Sequence, residues 1–283
     1  MKEKKWLIGL LTIAAFETTL ASTKENCLQD LSPGLRKTYY CQGQAFNLTV
    51  SPECAQGSCG LILDVHGRNM DPFLQDQNTG LSAYGPKYGY IVLQPFAPNQ
   101  YWETYHYPAV YTFYRMVKKA FKVDDKRIHM TGFSQGSIMT LWFMCVFRKE
   151  FASYAPSSAA GGSICADVKG GIPDVPILYQ HGWYDNLAPW YLAEAFSNQV
   201  RSQYKYDLTM DIGDQYSHRS EWTNQSGNRF ILLSHGYTTA SWYGAGHCFP
   251  GAPYRNIHSC SGVHSYSWAA EVLRFFINTP RRN

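Results

Sequence analysis

The sequence predicts an α/β domain whose central sheet is mostly parallel and covered by helices on both faces. Short apolar runs of strand length alternate with longer runs of helical character along the 283 residues. Such alternation is typical of strand-helix-strand units, whose crossover helices cover both faces of a sheet. The chain contains no repeats, long linkers or low-complexity tracts. We therefore expect one domain over residues 22–283, which is long enough to bury a full core.

The predicted elements follow one another along the chain. The early elements are strands at residues 46–50, 61–66 and 91–94, then a helix at residues 110–121. A strand at residues 127–131 then leads through a turn to an apolar helix at residues 137–147. The later elements are strands at residues 151–155, 177–181 and 230–234, a helix after Trp190 and a final helix at residues 268–278. The polar stretch at residues 201–228 gives no clear pattern.

Residues 132–136, Gly-Phe-Ser-Gln-Gly, match Gly-x-Ser-x-Gly between a predicted strand and a predicted helix. In a nucleophile elbow, the strand turns sharply into the helix, and the strained corner exposes the serine hydroxyl above the sheet edge. The two glycines leave room for close backbone packing. The pattern predicts Ser134 as a nucleophile, and the alternative is a chance match on a glycine turn.

A nucleophilic serine needs a histidine base and an acid that orients the histidine, and in the elbow arrangement the acid and then the base follow the serine in the chain. Asp185 comes just past the predicted strand at residues 177–181, so we expect it at the same sheet edge as the elbow. His247 lies in a loop with three glycines and a proline, which suit a fixed and unusual backbone path. We predict Asp185 as the acid and His247 as the base.

Other histidines and aspartates compete for these roles. The chain has nine histidines, and a single histidine is more often a surface or core residue than a catalyst. His235 ends a predicted strand, His258 lies in a cysteine-flanked loop, and His264 precedes the last helix. None of these three combines the expected chain order with glycine-rich surroundings. Asp167 and Asp174 come before a predicted strand rather than after its C-terminal end.

Acyl transfer also needs an oxyanion hole, because the tetrahedral intermediate places negative charge on the carbonyl oxygen. The backbone N–H of Gln135, at the start of the helix, is the first expected donor. The second is expected from the turn after the strand at residues 61–66, at Arg68, with Gly67 as the alternative. The sequence His66-Gly67 can also be read as a simple strand-ending turn.

Several short segments together resemble one known family. They are His66-Gly67, residues 94–102 with Asn99 and Trp102, residues 131–140, residues 151–156 with Gly161, residues 181–189, Gly246-His247 and Pro250-Gly251. In this order they resemble the secreted polyhydroxybutyrate depolymerase and feruloyl esterase group of the α/β-hydrolases, over most of residues 45–278. The resemblance implies the α/β-hydrolase fold and a serine esterase for short hydroxyalkanoate or aromatic acid esters. It also implies Ser134, Asp185 and His247 as the triad, with no cofactor.

Two positions depart from the family pattern. Gln135 stands where the family has a small residue, and Ser137 stands where it has a further glycine. We expect the long side chain of Gln135 to narrow the acyl pocket, so the substrate is not carried over from the family. The backbone N–H of residue 135 is unaffected, so the mechanism is carried over.

Aromatic residues follow two of the predicted strands where a substrate is expected to pass. Tyr101 and Trp102 come after the strand at residues 91–94, and Trp183 lies beside Asp185. Their rings could stack on an aromatic acyl group or adsorb to a polyester surface. Ordinary packing in the core or at the rim is the alternative for all three.

The first 21 residues have the features of a signal peptide. Lys2, Lys4 and Lys5 precede an apolar run at residues 6–16, and small residues end at Ala21. The apolar run is too short to span a bilayer, and we expect no membrane anchor after its removal. The sequence therefore predicts a secreted protein, extracellular or, in a bacterial host, periplasmic. The net charge is only +4, without the concentrated basic patch that nucleic-acid binding needs.

Eight cysteines in an exported chain indicate disulfides. Spacing does not prove their connectivity, since eight cysteines allow about 105 pairings. Local closeness suggests Cys27–Cys41, Cys54–Cys59, Cys145–Cys165 and Cys248–Cys260. A zinc site is the alternative, but the chain has no Cys-x-x-Cys, and its histidines do not pair with cysteines at ligand spacing. We therefore expect no metal.

Two further functions stay open beside the esterase. The same triad cleaves amides, so a serine peptidase is one of them. The other is a non-catalytic secreted binding protein that retains the fold. The expected partner is a small or oligomeric ester substrate. A polyester or a plant cell-wall ester is the polymeric alternative.

Overall fold

The computed structural model describes residues 27–159, 165–239 and 244–282. The predicted signal peptide at residues 1–21 and Gly161 lie outside the described residues. In chain order the strands are β1 (Gly34–Cys41), β2 (Gln44–Val50), β3 (Gly60–Val65), β4 (Tyr90–Pro95), β5 (Ile128–Phe133), β6 (Ser153–Ser157), β7 (Ile177–Gly182), β8 (Asp207–Gly213), β9 (Ser217–Thr223) and β10 (Arg229–His235). The α-helices are α1 (Pro72–Thr79), α2 (Leu81–Tyr84), α3 (Tyr107–Ala120), α4 (Gln135–Val146), α5 (Trp190–Tyr204) and α6 (Trp268–Ile277).

The strands form one sheet in the order β1-β2-β4-β3-β5-β6-β7-β10-β9-β8. The six strands from β4 to β10 in this order run parallel, and antiparallel hairpins extend the sheet at each end. The predicted mostly parallel α/β sheet is therefore confirmed.

Helices cover both faces of the sheet, as the alternating pattern predicts. The central strands β3 to β7 are buried along their whole length. On one face the apolar core includes Phe113 of α3, Phe143 of α4 and Phe196 of α5. On the other face Val272 and Phe276 of α6 pack on the sheet. Burial on both faces explains the apolar runs within β3 and β4.

Five of these elements, β1, α1, α2, β8 and β9, were not predicted, although Leu208, Met210 and Ile212 alternate with polar residues in β8. Strand β8 is exposed at every residue, since it is the edge of the sheet. Helix α1 instead buries polar side chains, and Asp64 of β3 accepts hydrogen bonds from Gln75 Nε2 at 2.7 Å and Thr79 Oγ1 at 3.0 Å. Burial raises the pKa of Asp64 to about 6. Strands β1 and β9 alternate only partly between buried and exposed residues.

The register of the parallel strands aligns their C-terminal ends along one sheet edge. Val65 pairs with Gly132, Phe133 with Ser157, and Gly182 with His235. The residues that follow β3, β5 and β7 therefore emerge side by side at this edge. No helix in the described part of the chain combines the length and the apolar character needed to cross a bilayer.

Four disulfides join the cysteines in the pairs that local closeness suggested. Each closes a short segment: Cys27–Cys41, Cys54–Cys59, Cys145–Cys165 and Cys248–Cys260, with sequence separations of 14, 5, 20 and 12. Disulfides of this number are typical of proteins that fold in an oxidising compartment.

Candidate active site

Ser134 is the corner residue between β5 and α4. Its backbone has φ 53° and ψ −117°, a conformation that residues other than glycine rarely adopt. The Ser134 N–H donates to the carbonyl of Ser157 in the neighbouring strand, at 2.9 Å. The turn is therefore strained and held in place, as a nucleophile elbow requires.

The two glycines of the elbow are needed for steric reasons. A Cβ atom built on Gly136 lies 2.1 Å from the carbonyl oxygen of Val65, and one built on Gly132 lies 2.3 Å from that of Gly136. Both separations are far below van der Waals contact, and the atoms they meet are backbone atoms. The first turn of α4 can therefore lie against β3 and β5 only because these positions carry no side chain.

Asp185 and His247 form a buried pair. His247 Nδ1–H donates to Asp185 Oδ2 at 2.7 Å. The other carboxylate oxygen, Oδ1, accepts the backbone N–H groups of Leu187 at 2.9 Å and Ala188 at 2.8 Å. A proton on Nδ1 leaves His247 Nε2 with a free lone pair. The geometry therefore suits His247 for accepting a proton at Nε2.

A second histidine, His181, supports the loop that carries Asp185. Tyr179 O–H donates to its Nδ1 at 2.8 Å, and its Nε2–H donates to the Ala188 carbonyl at 2.7 Å. The same Nε2 lies 3.6 Å from Asp185 Oδ2. Burial lowers the pKa of His181, which keeps the ring neutral. This support was not predicted, because the sequence only marked His181 as the end of a strand.

The loop of His247 packs directly on that of Asp185. Gly246 N–H donates to the Tyr184 carbonyl at 3.1 Å, and a Cβ on Gly246 would lie 2.8 Å from the Asp185 nitrogen. The His247 ring packs on Phe133, with 4.7 Å between ring centroids. The disulfide Cys248–Cys260 begins at the next residue. These contacts fix the imidazole beside the elbow.

Ser134 and His247 line one cavity of about 470 Å³ at the C-terminal edge of the sheet. Gln135 and Arg68, the residues expected to donate to an oxyanion, line the same cavity. Asp185 is fully buried behind His247. The structure thus brings the predicted base and nucleophile to one wall of a cavity and places the predicted acid behind the base.

Comparisons with known proteins concern the fold that carries this arrangement. Residues 109–234 match the family model described as Phospholipase/Carboxylesterase. The solved acetyl xylan esterase from Aspergillus awamori superposes with a TM-score of 0.58 at 13% identity, over 87% of this chain and 96% of that chain. A thermostable esterase superposes with a TM-score of 0.55 at 17% identity, over 84% of this chain and 60% of that chain. The chain therefore has the α/β-hydrolase fold.

A curated relative of this chain is a bifunctional acetylxylan esterase/xylanase of Neocallimastix patriciarum. It is 28% identical over 164 residues, which are 56% of this chain and 24% of that protein. The match therefore spans about a quarter of the length of this relative.

The predicted oxyanion donors lie next to Ser134. Gln135 is the first residue of α4, where a backbone N–H has no acceptor within the helix. A Cβ on Gly67 would lie 3.1 Å from Ser134 Cβ, so the turn after β3 touches the elbow. Whether Arg68 or Gly67 supplies the second donor stays a prediction.

The turn after β3 is fixed by His66. Its Nδ1–H donates to the Gly67 carbonyl at 2.7 Å, and its Nε2 accepts the Ala97 N–H at 2.9 Å. Burial lowers the pKa of His66 to about 4, so the ring is neutral at neutral pH. Trp102 Nε1–H donates to the His66 carbonyl at 2.9 Å. The predicted strand-ending turn is therefore held rigidly beside the residues predicted to donate to the oxyanion.

The three aromatic candidates for substrate contact have different surroundings. Trp102 is only 4% exposed, and its backbone N–H holds Gln135 Oε1 at 3.1 Å, so its role is packing and support. Trp183 is half-buried against Gly236, outside the set of described residues that line the cavity. Tyr101 is 37% exposed, and its ring lies 4.9 Å from the guanidinium of Arg68. Of the three, Tyr101 is the one whose ring is exposed and contacts the side chain of a cavity-lining residue.

Sequence reasoning missed several residues of the cavity wall. They are Asn69, Leu187, Thr239, Gly244, Ile257 and His258. His258, considered above as a rival base, lines the cavity, and burial together with His247 lowers its pKa to about 4. Its position in the cysteine-flanked loop was the only available signal.

The other rivals lie elsewhere. His235 is fully buried and hydrogen-bonded to Gln180, and burial lowers its pKa to about 3. Asp174 accepts the amide groups of Asn224 at 2.6 Å and Asn228 at 3.0 Å. His235 also lies near Cys248 and Cys260, but these two are joined in a disulfide and offer no thiolate to a metal.

Proposed function

We propose that this α/β-hydrolase is a serine carboxylic-ester hydrolase with Ser134 as nucleophile, His247 as base and Asp185 as orienting acid. The observation that carries the proposal is the 2.7 Å hydrogen bond between His247 Nδ1 and Asp185 Oδ2 beside a strained serine in the same cavity. This combination supports acyl transfer by a serine nucleophile, a histidine base and an orienting acid.

The reaction proceeds in two halves. His247 Nε2 takes the hydroxyl proton of Ser134 as Ser134 Oγ attacks the ester carbonyl carbon, and the carbonyl oxygen becomes an oxyanion near the Gln135 N–H. The intermediate collapses, and the departing alkoxide takes the proton from His247. A water molecule then attacks the acyl-enzyme in the same way and releases the acid and Ser134. Asp185 stabilises the imidazolium throughout.

We further propose short acyl esters on plant cell-wall material as substrates, with acetyl esters first. Two features support this class. The relatives described above include an acetylxylan esterase/xylanase and an acetyl xylan esterase, and Gln135, which stands where the family pattern has a small residue, lines the cavity beside Ser134. Hydroxybutyrate and feruloyl esters, which the sequence resemblance implies, are the competing substrates. Four disulfides support a secreted protein.

The nucleophile is tested with Ser134→Ala. We expect its kcat/KM on p-nitrophenyl acetate to fall at least about 10⁴-fold, because no other group can form the acyl-enzyme. Ser202→Ala, an exposed serine on α5, is the matched control and should keep wild-type turnover. Normal turnover by Ser134→Ala would refute the assignment.

Two measurements separate the alternatives. Mass spectrometry after fluorophosphonate treatment should find the label on Ser134, and a folded protein that does not label would favour the non-catalytic binding protein. A panel of acetylated xylo-oligosaccharides, methyl ferulate, hydroxybutyrate oligomers and peptide p-nitroanilides then ranks the substrates. If a peptide is hydrolysed faster than every ester, the protein is a peptidase rather than an esterase.

A further inference from the structure

A second cavity lies near the N-terminal ends of the parallel strands β6 and β7, on the side of the sheet opposite to Ser134. Its volume is about 510 Å³, and Phe151, Ala152, Val175 and Pro176 form part of its wall. These residues directly precede β6 and β7. Parallel strands begin at the edge opposite to their C-terminal ends, so this cavity is separated from Ser134 by the length of the sheet.

Five cationic side chains and one carboxylate line this second cavity. They are Arg148, Lys149, Arg229, Arg281, Arg282 and Asp174. Arg229 is neutralised by Glu221, with 2.7 Å between Arg229 Nη1 and Glu221 Oε1. The carboxylate of Asp174 accepts neutral amide groups from Asn224 and Asn228. The wall therefore carries more positive than negative charge.

The other four cations have no carboxylate within ion-pair distance among the residues that the structure describes. Arg148 donates to the carbonyls of Gly170 and Gly171, and Arg282 donates to that of Ser226. These carbonyls orient the guanidinium groups but do not cancel their charge. A surface that collects like charges without counter-charges is suited to an anion.

Arg281 provides the most direct sign of a ligand. Its Nη2 is buried and has no hydrogen-bond partner, although its backbone N–H is held by the Lys126 carbonyl at 2.8 Å. A buried donor of a charged group without an acceptor is costly and rare in native proteins. Rotation of the guanidinium toward the cavity would let a bound oxyanion supply the missing acceptor.

We propose that this cavity binds an organic oxyanion, a phosphate or carboxylate group carried on a body of sugar size, through Arg281, Arg148 and Arg282. Guanidinium groups hold both kinds of oxyanion with paired hydrogen bonds. The volume of about 510 Å³ lies in the usual range of small-molecule sites and exceeds what an isolated phosphate fills. Phe151 and Val175 offer apolar surface to the body of the ligand.

The test is isothermal titration calorimetry with glucose 6-phosphate, glucuronate, inorganic phosphate and glucose. We expect one of the two sugar anions to bind more tightly than inorganic phosphate, and glucose not to bind. The comparison of the two sugar anions shows whether phosphate or carboxylate is the preferred group. Arg281→Gln should weaken binding at least about tenfold, the loss typical of a charge-assisted hydrogen bond.

Arg255→Gln is the matched control, because it removes the same charge from an exposed position in the loop that follows His247. It should bind the anion within about twofold of the wild type. Failure of both sugar anions to bind at about 10 mM, or equal weakening by the two variants, would overturn the proposal. The thermal unfolding temperature without ligand shows that each variant is folded, and Arg148→Gln replaces Arg281→Gln if the latter is not. None of these readouts depends on ester hydrolysis.

Discussion

Substitution of Gly136 by alanine tests the close packing that places Ser134. A Cβ at this position would lie 2.1 Å from the Val65 carbonyl oxygen and 2.7 Å from that of His66, whereas ordinary contact begins near 3.4 Å. Restoring 3.4 Å from 2.1 Å requires the start of α4 to move by about 1.3 Å. This movement would carry the Gln135 N–H away from the position that the oxyanion takes.

We expect two measurable losses in Gly136→Ala. The free energy of unfolding, measured by urea denaturation, should fall by about 1–3 kcal/mol, as is usual for an overpacked site. The kcat/KM on p-nitrophenyl acetate should fall by about 100-fold, since a displacement of about 1 Å in a catalytic group costs that much. The loss of activity rests on the proposed function, and the loss of stability does not.

Ile138→Ala is the control for Gly136→Ala, because Ile138 is exposed on the same helix. It should change both quantities little. If Gly136→Ala keeps both wild-type stability and wild-type activity, the steric argument is wrong. If Gly136→Ala loses stability but keeps its kcat/KM, the position of the first turn of α4 does not limit the rate of the reaction.

Two further predictions concern protons. Asp185→Asn would set an amide N–H₂ against His247 Nδ1–H and favour the wrong tautomer of the imidazole. We therefore expect kcat on p-nitrophenyl acetate to fall by about 10⁴-fold at neutral pH, with stability checked by urea denaturation. A kcat near that of the wild type would exclude Asp185 as the acid. The second concerns stability against pH: burial lowers the pKa of His66 to about 4 and of His129 and His235 to about 3, so the unfolded chain binds more protons than the folded one below about pH 6.5. The free energy of unfolding should therefore fall as pH drops from about 6.5 towards 4. Asp64, whose pKa is raised to about 6, opposes this trend. Urea midpoints that stay constant from pH 7 to pH 4.5 would contradict this reasoning.

The parallel core and the elbow were predictable because their signals are local. Strands buried on both faces are apolar runs, and Ser134 lies in a pattern of five consecutive residues. Chain order then led to Asp185 and His247, whose hydrogen bond the structure shows. Element bounds differ by a few residues, as for β6, which was expected at residues 151–155 and is found at Ser153–Ser157.

The other features of the site depend on the direction of side chains and on distances between residues far apart in the chain. A sequence pattern does not specify either. Trp102 follows a strand at the correct edge, but its indole N–H satisfies the His66 carbonyl inside the protein rather than facing the cavity. The support of Asp185 by His181 depends on the loop that folds Ala188 back over the strand end. The cations of the second cavity come from chain segments as distant as Arg148 and Arg281, so no basic stretch marks them in the sequence.

The disulfides connect neighbours in the chain, at separations of 20 residues or fewer, and none of the four bridges strands from opposite ends of the sheet. The covalent cross-links thus restrain local segments, and the long-range order of the sheet depends on interstrand hydrogen bonds and packing. In a reducing medium the central strands would keep their arrangement, while the loop between Cys248 and Cys260 would gain freedom next to His247. Thiol reagents would then affect turnover at concentrations that leave the folded core intact.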